Sequence, residues 1–215
     1  MTALIENCTG VILAGGENTR MPLLKAFIEV KGQRIIERNL SILRRIFPDV
    51  VIVTNEPEAY SYLGATLLGD AYNTRGPMTG ILTALLNSQQ PWVFVSACDM
   101  PFLSEDFIRA MLSKRSGSHA VVPLLNKRPE PLLAFYAQGL ARAMEKALLT
   151  GEKRLGDFLN TKRVQYITVA DSGACNTDAP LFINLNTPMD VSTHLTAEDR
   201  MRFEHQVRRR GKCLD

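Results

Sequence analysis

The sequence predicts an α/β fold, a Rossmann-like three-layer sandwich around a mostly parallel sheet. Three observations predict it. Short apolar, β-branched runs alternate with stretches that carry apolar residues at helical spacing. The runs Val50-Val51-Ile52-Val53 and Trp92-Val93-Phe94-Val95 are apolar throughout, the pattern of strands buried on both faces. Several runs also end in Gly, Asn or Asp, polar or small residues placed where a parallel sheet exposes its carboxyl edge.

The elements follow in order. Val11 to Ala14 is the first strand, opening into Gly15 and Gly16. Gln33 to Ile46 places Ile35, Ile36, Leu40, Ile42, Leu43 and Ile46 close to one helical stripe, and Pro48 and Asp49 break it. Val50 to Thr54 is a strand, and Ala65 to Gly69 is a third, ending at Asp70. Met78 to Ser88 is a helix with Pro77 at its start, where proline is tolerated. Trp92 to Ala97 is a strand that ends at Cys98 and Asp99. Ser104 is an N-cap, with acidic Glu105 and Asp106 in the first turn. The second half is less regular. Ala120 to Leu124 and Leu132 to Tyr136 read as strands around a polar loop, Asn126 to Glu130. Leu140 to Leu149 reads as a helix, and Val164 to Val169 and Leu181 to Leu185 as further strands. No repeat and no linker divides the chain, so residues 1–195 are expected to form one domain, with 196–215 a charged C-terminal helix or tail.

Composition narrows the function. At 215 residues, with 46% hydrophobic and 22% charged residues, the chain can bury a core without metals or disulfides. A net charge of +3 is too small and dispersed to make nucleic acid the expected partner. No apolar run approaches a membrane span, and Met1 to Cys8 lacks the basic start and apolar core of a signal peptide. The four cysteines form no metal-ligand or Cys-x-x-Cys spacing, so reduced thiols and a cytoplasmic location are expected.

The chemistry concentrates at strand ends. Gly15 and Gly16 let the backbone turn tightly and approach an anion, and Arg20 and Lys25 supply the charge that a polyphosphate needs. Asn55, Asp70 and Asp99 end the next strands, and a parallel sheet would bring them to the same edge. Asp99 suits Mg²⁺, which prefers one or two carboxylates plus phosphate oxygens and water. Singly, each residue has a plain explanation: a Gly-Gly turn, a surface lysine, an aspartate capping a turn. The dinucleotide and P-loop fingerprints are both absent. Together at strand ends, these residues favour a nucleotide site.

At this point the chain resembles the molybdenum cofactor guanylyltransferases, the MobA-like nucleotidyltransferases. The matching segments are Leu13-Ala14-Gly15-Gly16 with Arg20, Met21 and Lys25; Gly69-Asp70 with Gly76-Pro77-Met78-Thr79-Gly80; Cys98-Asp99-Met100-Pro101-Phe102; Pro131-Leu132 with Ala134-Phe135-Tyr136; Gly151 to Arg154; and Phe182 to Pro188. The resemblance implies a nucleotidyltransferase-type sandwich that moves GMP from GTP to the terminal phosphate of molybdopterin or molybdenum-molybdopterin, with release of pyrophosphate. It implies GTP contacts at Leu13, Ala14, Gly15, Gly16, Lys25, Asn55, Asp70, Gly80 and Asp99. Catalytic roles would fall to Lys25, Arg20 and Asp99, with Mg²⁺ on Asp99. Arg154, Asn184 and Asn186 would face the pterin. Other cofactor-biosynthesis or molybdoenzyme-maturation proteins would be further partners; nucleic acid and membrane would not. The chain departs from the family where it usually has Gly after Arg-Met, Asp before the lysine and His before Pro-Leu; these places hold Pro22, Leu24 and Glu130. Three alternatives stay open: a cytidylyl- or sugar-phosphate nucleotidyltransferase of the same fold, a non-catalytic nucleotide-binding accessory protein, and an α/β domain without a nucleotide.

Overall fold

The computed structural model of the protein describes residues 3–15, 21–172 and 183–211. The strands are β1 (Cys8–Leu13), β2 (Glu29–Val30), β3 (Gln33–Arg34), β4 (Asp49–Val53), β5 (Thr66–Leu68), β6 (Trp92–Ala97), β7 (Ala120–Leu125), β8 (Arg128–Pro129), β9 (Leu133–Ala137) and β10 (Val164–Thr168). The helices are α1 (Ile35–Ile46), α2 (Pro57–Tyr60), α3 (Pro77–Asn87), α4 (Glu105–Leu112), α5 (Ala141–Leu149), α6 (Leu155–Asn160), α7 (Pro188–His194) and α8 (Ala197–Gly211). The main sheet has the order β10-β7-β9-β6-β1-β4-β5, with β8 hydrogen-bonded to β7. β5, β4, β1 and β6 pair in parallel, as do β7 and β10. β9 is antiparallel to both of its neighbours.

Alternation along each strand builds the layers. Val11 and Leu13 of β1, Val93 and Val95 of β6, and Ala134 and Tyr136 of β9 face α3, α5 and α6. Ile12, Phe94, Leu133 and Phe135 face α1 and α4 instead. The helices answer with matching faces. In α1, Ile36, Leu40, Leu43 and Ile46 are buried, and α3 is buried from Met78 to Leu85 because it lies across the centre of the sheet. Ser104 caps α4 by accepting the Phe107 N–H at 3.3 Å. Phe47, Phe94 and Phe135 meet with ring centroids 4.9–6.3 Å apart and join the two halves of the sheet on one face.

Several boundaries differ from expectation for local reasons. Gln33 and Arg34 do not begin α1; they pair with Glu29 and Val30 across a two-residue turn. Lys31 (φ 53°) and Gly32 (φ 76°) give that turn the left-handed backbone that a tight hairpin requires. The polar loop Asn126 to Glu130 is a second such hairpin, with Asn126 and Lys127 at positive φ and Leu125 paired with Arg128. In the expected strand Leu181 to Leu185, residues 181 and 182 lie outside the described residues. Residues 183–185 are irregular, and Leu185 N–H donates to the Asp99 carbonyl at 3.0 Å. A third apolar cluster lies apart from the sheet and gathers Met21, Leu23, Ile28, Val30 and Ile35 with Leu185, Val191, Leu195 and Phe203.

Candidate functional site

The strand order reverses between β1 and β6, because the chain runs β1-β4-β5 to one side and β6 to the other. At such a switch point the strand ends diverge and leave a crevice at their carboxyl edge. Here the ends are stitched together. Ala14 N–H donates to the Val53 carbonyl at 2.8 Å, Cys98 N–H to the Leu13 carbonyl at 3.1 Å, and the Thr54 hydroxyl to the Ala14 carbonyl at 3.2 Å. Above them lies a cavity of about 590 Å³.

The cavity collects most of the residues that the sequence singles out. Leu13, Ala14 and Gly15 line it from β1, and Asp99 from the end of β6. Lys25 reaches it from a short 3-10 turn, Lys25–Phe27. Its ammonium donates to Asp99 Oδ2 at 3.2 Å and to the Asn186 side-chain oxygen, so three residues up to 161 positions apart meet at one point. Both members of the ion pair are mostly shielded from solvent, at 22% and 15% side-chain exposure, which strengthens their attraction over that of a surface pair. Asn186 is placed by the start of α7, where Asp190 accepts the Asn186 and Thr187 N–H groups at 2.9 and 2.7 Å in a capping box.

On the opposite wall, Asn55 and Asp70 form a reciprocal pair, amide to carboxylate at 2.8 Å and Asp70 N–H to the Asn55 oxygen at 3.0 Å. Gly80 sits on the first turns of α3 with no side chain between it and β1. A Cβ there would lie 3.1 Å from Leu13 Cδ2, so glycine keeps this wall flat. Gly76, at φ 145° just before Pro77, lets the chain turn into α3 with that helix's amino end on the cavity.

Gly16 and Arg20 lie outside the described residues. Arg154 is not drawn in: its side chain is 85% exposed beside Asp157 at the start of α6. Asn184 is not among the lining residues; it donates to Glu130 Oε2 at 3.5 Å, and its buried Oδ1 has no hydrogen-bond partner among the described residues. Glu130, which the sequence marks only as a departure from the family's His before Pro131-Leu132, is the partner of Asn184 here. Its carboxyl lies above the usual range, because burial opposes ionisation and outweighs the Leu132 N–H and Asn184 bonds; the charge of Asp99 acts in the same sense as burial. Tyr60, Glu56, Arg75 and Leu132 also line the cavity. Of these, Leu132 lies in the matching segment Pro131-Leu132 and Arg75 is a cation just ahead of Gly76-Pro77, while Tyr60 and Glu56 carry no signal in the sequence. The Cys98 thiol is pushed up to about 12, first by burial and then by Asp99, so it stays protonated at neutral pH and is no nucleophile.

Among the described residues no group of three or more His, Cys, Asp or Glu side chains could hold a metal unaided. A divalent ion bound jointly with substrate phosphates needs less, one or two carboxylates, and Asp99 fits that hard-oxygen donor type. Among the described residues no helix is long and apolar enough to cross a membrane.

Comparison with known proteins agrees with this geometry. Residues 10–166 match the MobA-like NTP transferase domain. A protein of Pelotomaculum thermopropionicum named "Probable molybdenum cofactor guanylyltransferase" is 34% identical over 89% of this chain and 94% of its own length. The "Molybdenum cofactor guanylyltransferase" of Syntrophotalea carbinolica is 32% identical over 85% and 88%. The crystal structure of molybdopterin-guanine dinucleotide biosynthesis protein A from Archaeoglobus fulgidus superposes with a TM-score of 0.74 at 27% identity, covering 86% of this chain and 95% of that one. More distant structures, such as a CMP-2-keto-3-deoxy-manno-octonic acid synthetase (TM-score 0.68, 10% identity), share the fold alone. The chain therefore belongs to the MobA-like NTP transferases, as a nucleotidyltransferase of the molybdenum cofactor guanylyltransferase family.

Proposed function

We propose that this cavity binds GTP with Mg²⁺ and transfers GMP to the terminal phosphate of molybdopterin, with or without its molybdenum, releasing pyrophosphate. The observation that carries the reading is the Lys25–Asp99–Asn186 junction at the β1–β6 switch point, a cation set between two oxygen-bearing side chains inside a cavity of nucleotide size. The flat wall of Gly80 and Leu13 suits a purine ring, and the Asn55–Asp70 pair suits ribose hydroxyls. Lys25 and the Gly15 backbone would hold the phosphates, with Asp99 holding the metal. Mg²⁺ there would neutralise charge on the departing pyrophosphate. A phosphate monoester has a second pKa of about 6, so the acceptor is largely a dianion at neutral pH and needs no general base. That suits a site whose thiol stays protonated and whose described lining residues include no histidine. The work left to the protein is to hold two anions in line against their repulsion. Asn186, on the Lys25 ammonium, stands where donor and acceptor would meet.

The test is pyrophosphate release with GTP, Mg²⁺ and molybdenum-loaded molybdopterin. Thermal shifts with Mg·GTP, Mg·CTP and Mg·UTP run in parallel. Release with GTP and the largest shift with GTP are expected. A larger shift and faster release with CTP would replace guanine by cytosine in the proposal, and GTP binding without release would make the protein an accessory binder.

A further inference from the structure

We propose that α8 is a positioning element of this site, and that Asp199 and Gln206 act through Lys25. The inference rests on the reading that Lys25 handles the nucleotide phosphates.

The segment that carries Lys25 has no strand in the main sheet. β2 and β3 pair only with each other, in a separate two-stranded sheet. Met21, Leu23, Ile28 and Val30 of the segment are buried against Leu185, Val191, Leu195 and Phe203, all from the last thirty or so residues, while Ala26 and Phe27 pack into the cluster between the sheet and α1. Residues 183–211 lie beyond the 10–166 that match the family domain.

One face of α8 is fastened along this segment at three levels, since positions 199, 203 and 206 share a helix face. At the first, Asp199 is buried, at 3% exposure. Its Oδ1 accepts the Lys31 N–H at 2.6 Å and its Oδ2 the Thr196 hydroxyl at 2.9 Å. At the second, Phe203 enters the apolar cluster. At the third, Gln206 donates through Nε2 to the Phe27 carbonyl at 3.0 Å and to Glu29 Oε1 at 3.1 Å, and accepts the Glu29 N–H at 3.4 Å. Phe27 is the last residue of the 3-10 turn that Lys25 begins. Gln206 thus holds the far end of the turn whose near end carries the ammonium.

A buried carboxylate is costly to keep unless hydrogen bonds compensate it. Asp199 has them, and both neutral ends of Gln206 are used. This polar seam specifies one height and one angle for the Lys25 turn, which apolar packing alone would not. Displacing a catalytic group by about 1 Å can cost about 100-fold in rate, so a change in α8 would be felt at Asp99, one cavity wall away.

The experiment uses the full-length protein. Gln206→Leu keeps the volume and removes the bonds; Asp199→Ala removes the carboxylate and Asp199→Asn returns one acceptor for Lys31. Each is assayed for pyrophosphate release, alone and combined with Lys25→Ala, and by hydrogen exchange over residues 24–31. Glu204→Ala, on the exposed face of α8, is the control. We expect Gln206→Leu and Asp199→Ala to lower kcat by about tenfold or more with a smaller change in the KM for GTP. Exchange over 24–31 should quicken, Asp199→Asn should recover much of the loss, and neither substitution should lower activity further once Lys25 is alanine. Unchanged kcat with unchanged exchange, or full additivity with Lys25→Ala, overturns the proposal. Exchange needs no substrate, so it reads the clamp even if the enzyme prefers another nucleotide.

Discussion

In the half of the sheet formed by β5, β4, β1 and β6, every strand runs the same way and presents its carboxyl end to the cavity. Beyond β6 the chain reverses. β9 is antiparallel, pairs Leu133 with Ser96, and reaches the cavity with its amino end, where the Leu132 carbonyl accepts the Ala97 N–H at 2.9 Å. The parallel half delivers the residues that follow strands: Gly15, Asn55, Asp70 and Asp99. The reversed strand delivers the residues that precede one: Glu130, Pro131 and Leu132. The first set is polar or small and faces the cavity. The second contributes an apolar wall, Leu132, with the half-buried Glu130 carboxyl beside Asn184. The same edge is thus polar on one side and apolar on the other.

Substitution on the polar side is expected to have the largest effect. Asp99→Ala should lower pyrophosphate release by about 10²–10³-fold or more and Lys25→Ala by about 10²-fold, whereas Leu132→Ala should change it by less than about tenfold. Comparable losses at all three positions in initial-rate assays would erase the contrast.

Next in size is the join between the halves. Phe94 on β6 and Phe135 on β9 pack 4.9 Å apart, and each should cost about 3–5 kcal/mol when cut to alanine, measured by urea denaturation. Their double variant should show coupling, since the rings touch. If the two costs simply added, the halves would be less integrated than the packing implies.

Smaller still, Gly80→Leu should weaken GTP binding by about tenfold or more with little loss of secondary structure, because the new side chain occupies the wall against Leu13. Titration calorimetry with Mg·GTP would check it, and an unchanged affinity would remove the base from this wall.

The smallest effect belongs to Glu130. Its carboxyl is raised in the folded protein, so the fold binds more protons than the unfolded chain, and stability falls as pH rises from the ordinary value of 4.5 through the folded one. Glu130→Gln removes that loss. The variant should therefore be more stable than the parent at pH 7, and the difference should fade below about pH 4.5 in melting curves taken across pH.

The same contrast separates what is legible in the residues alone from what is not. The parallel half is legible because burial on both faces leaves an unbroken β-branched run, as at Val50 to Val53, and because the turn after such a strand must sit at the ligand edge. The run Leu132 to Tyr136 announces a strand equally well, but its direction is set by which neighbour it joins, and no residue in it encodes that. Glu130 shows in the sequence only as a departure from the family's His, and its pairing with Asn184 across 54 positions is hidden for the same reason. The two hairpins are hidden because Asn126-Lys127 and Lys31-Gly32 are weak turn signals beside Asn-Gly or Asp-Gly. The junction of Lys25 with Asn186 depends on a pairing across 161 positions, which local pattern cannot supply; the resemblance sets Asn186 on the pterin side only. The thin stripe of α8, Ala197, Met201, Phe203 and Val207, understates the helix. Its contact with the Lys25 segment runs through Phe203, with Val207 packed against the same cluster, and through the polar Asp199 and Gln206, while Met201 stays 65% exposed.

The junction that holds Lys25 has a consequence in time. A ribosome adds about 5–20 residues per second, so Lys25 is made roughly 8–32 s before Asn186, and α8 follows later still. During that interval β1, β4, β5 and β6 can pair while the lysine lacks its later partners. On the proposed role of α8, a chain cut short after β10 would carry Lys25 and Asp99 without Asn186 and without the bonds of Asp199 and Gln206. On that reading the order of synthesis itself sets when the site is assembled: after α8 has been translated, and not before.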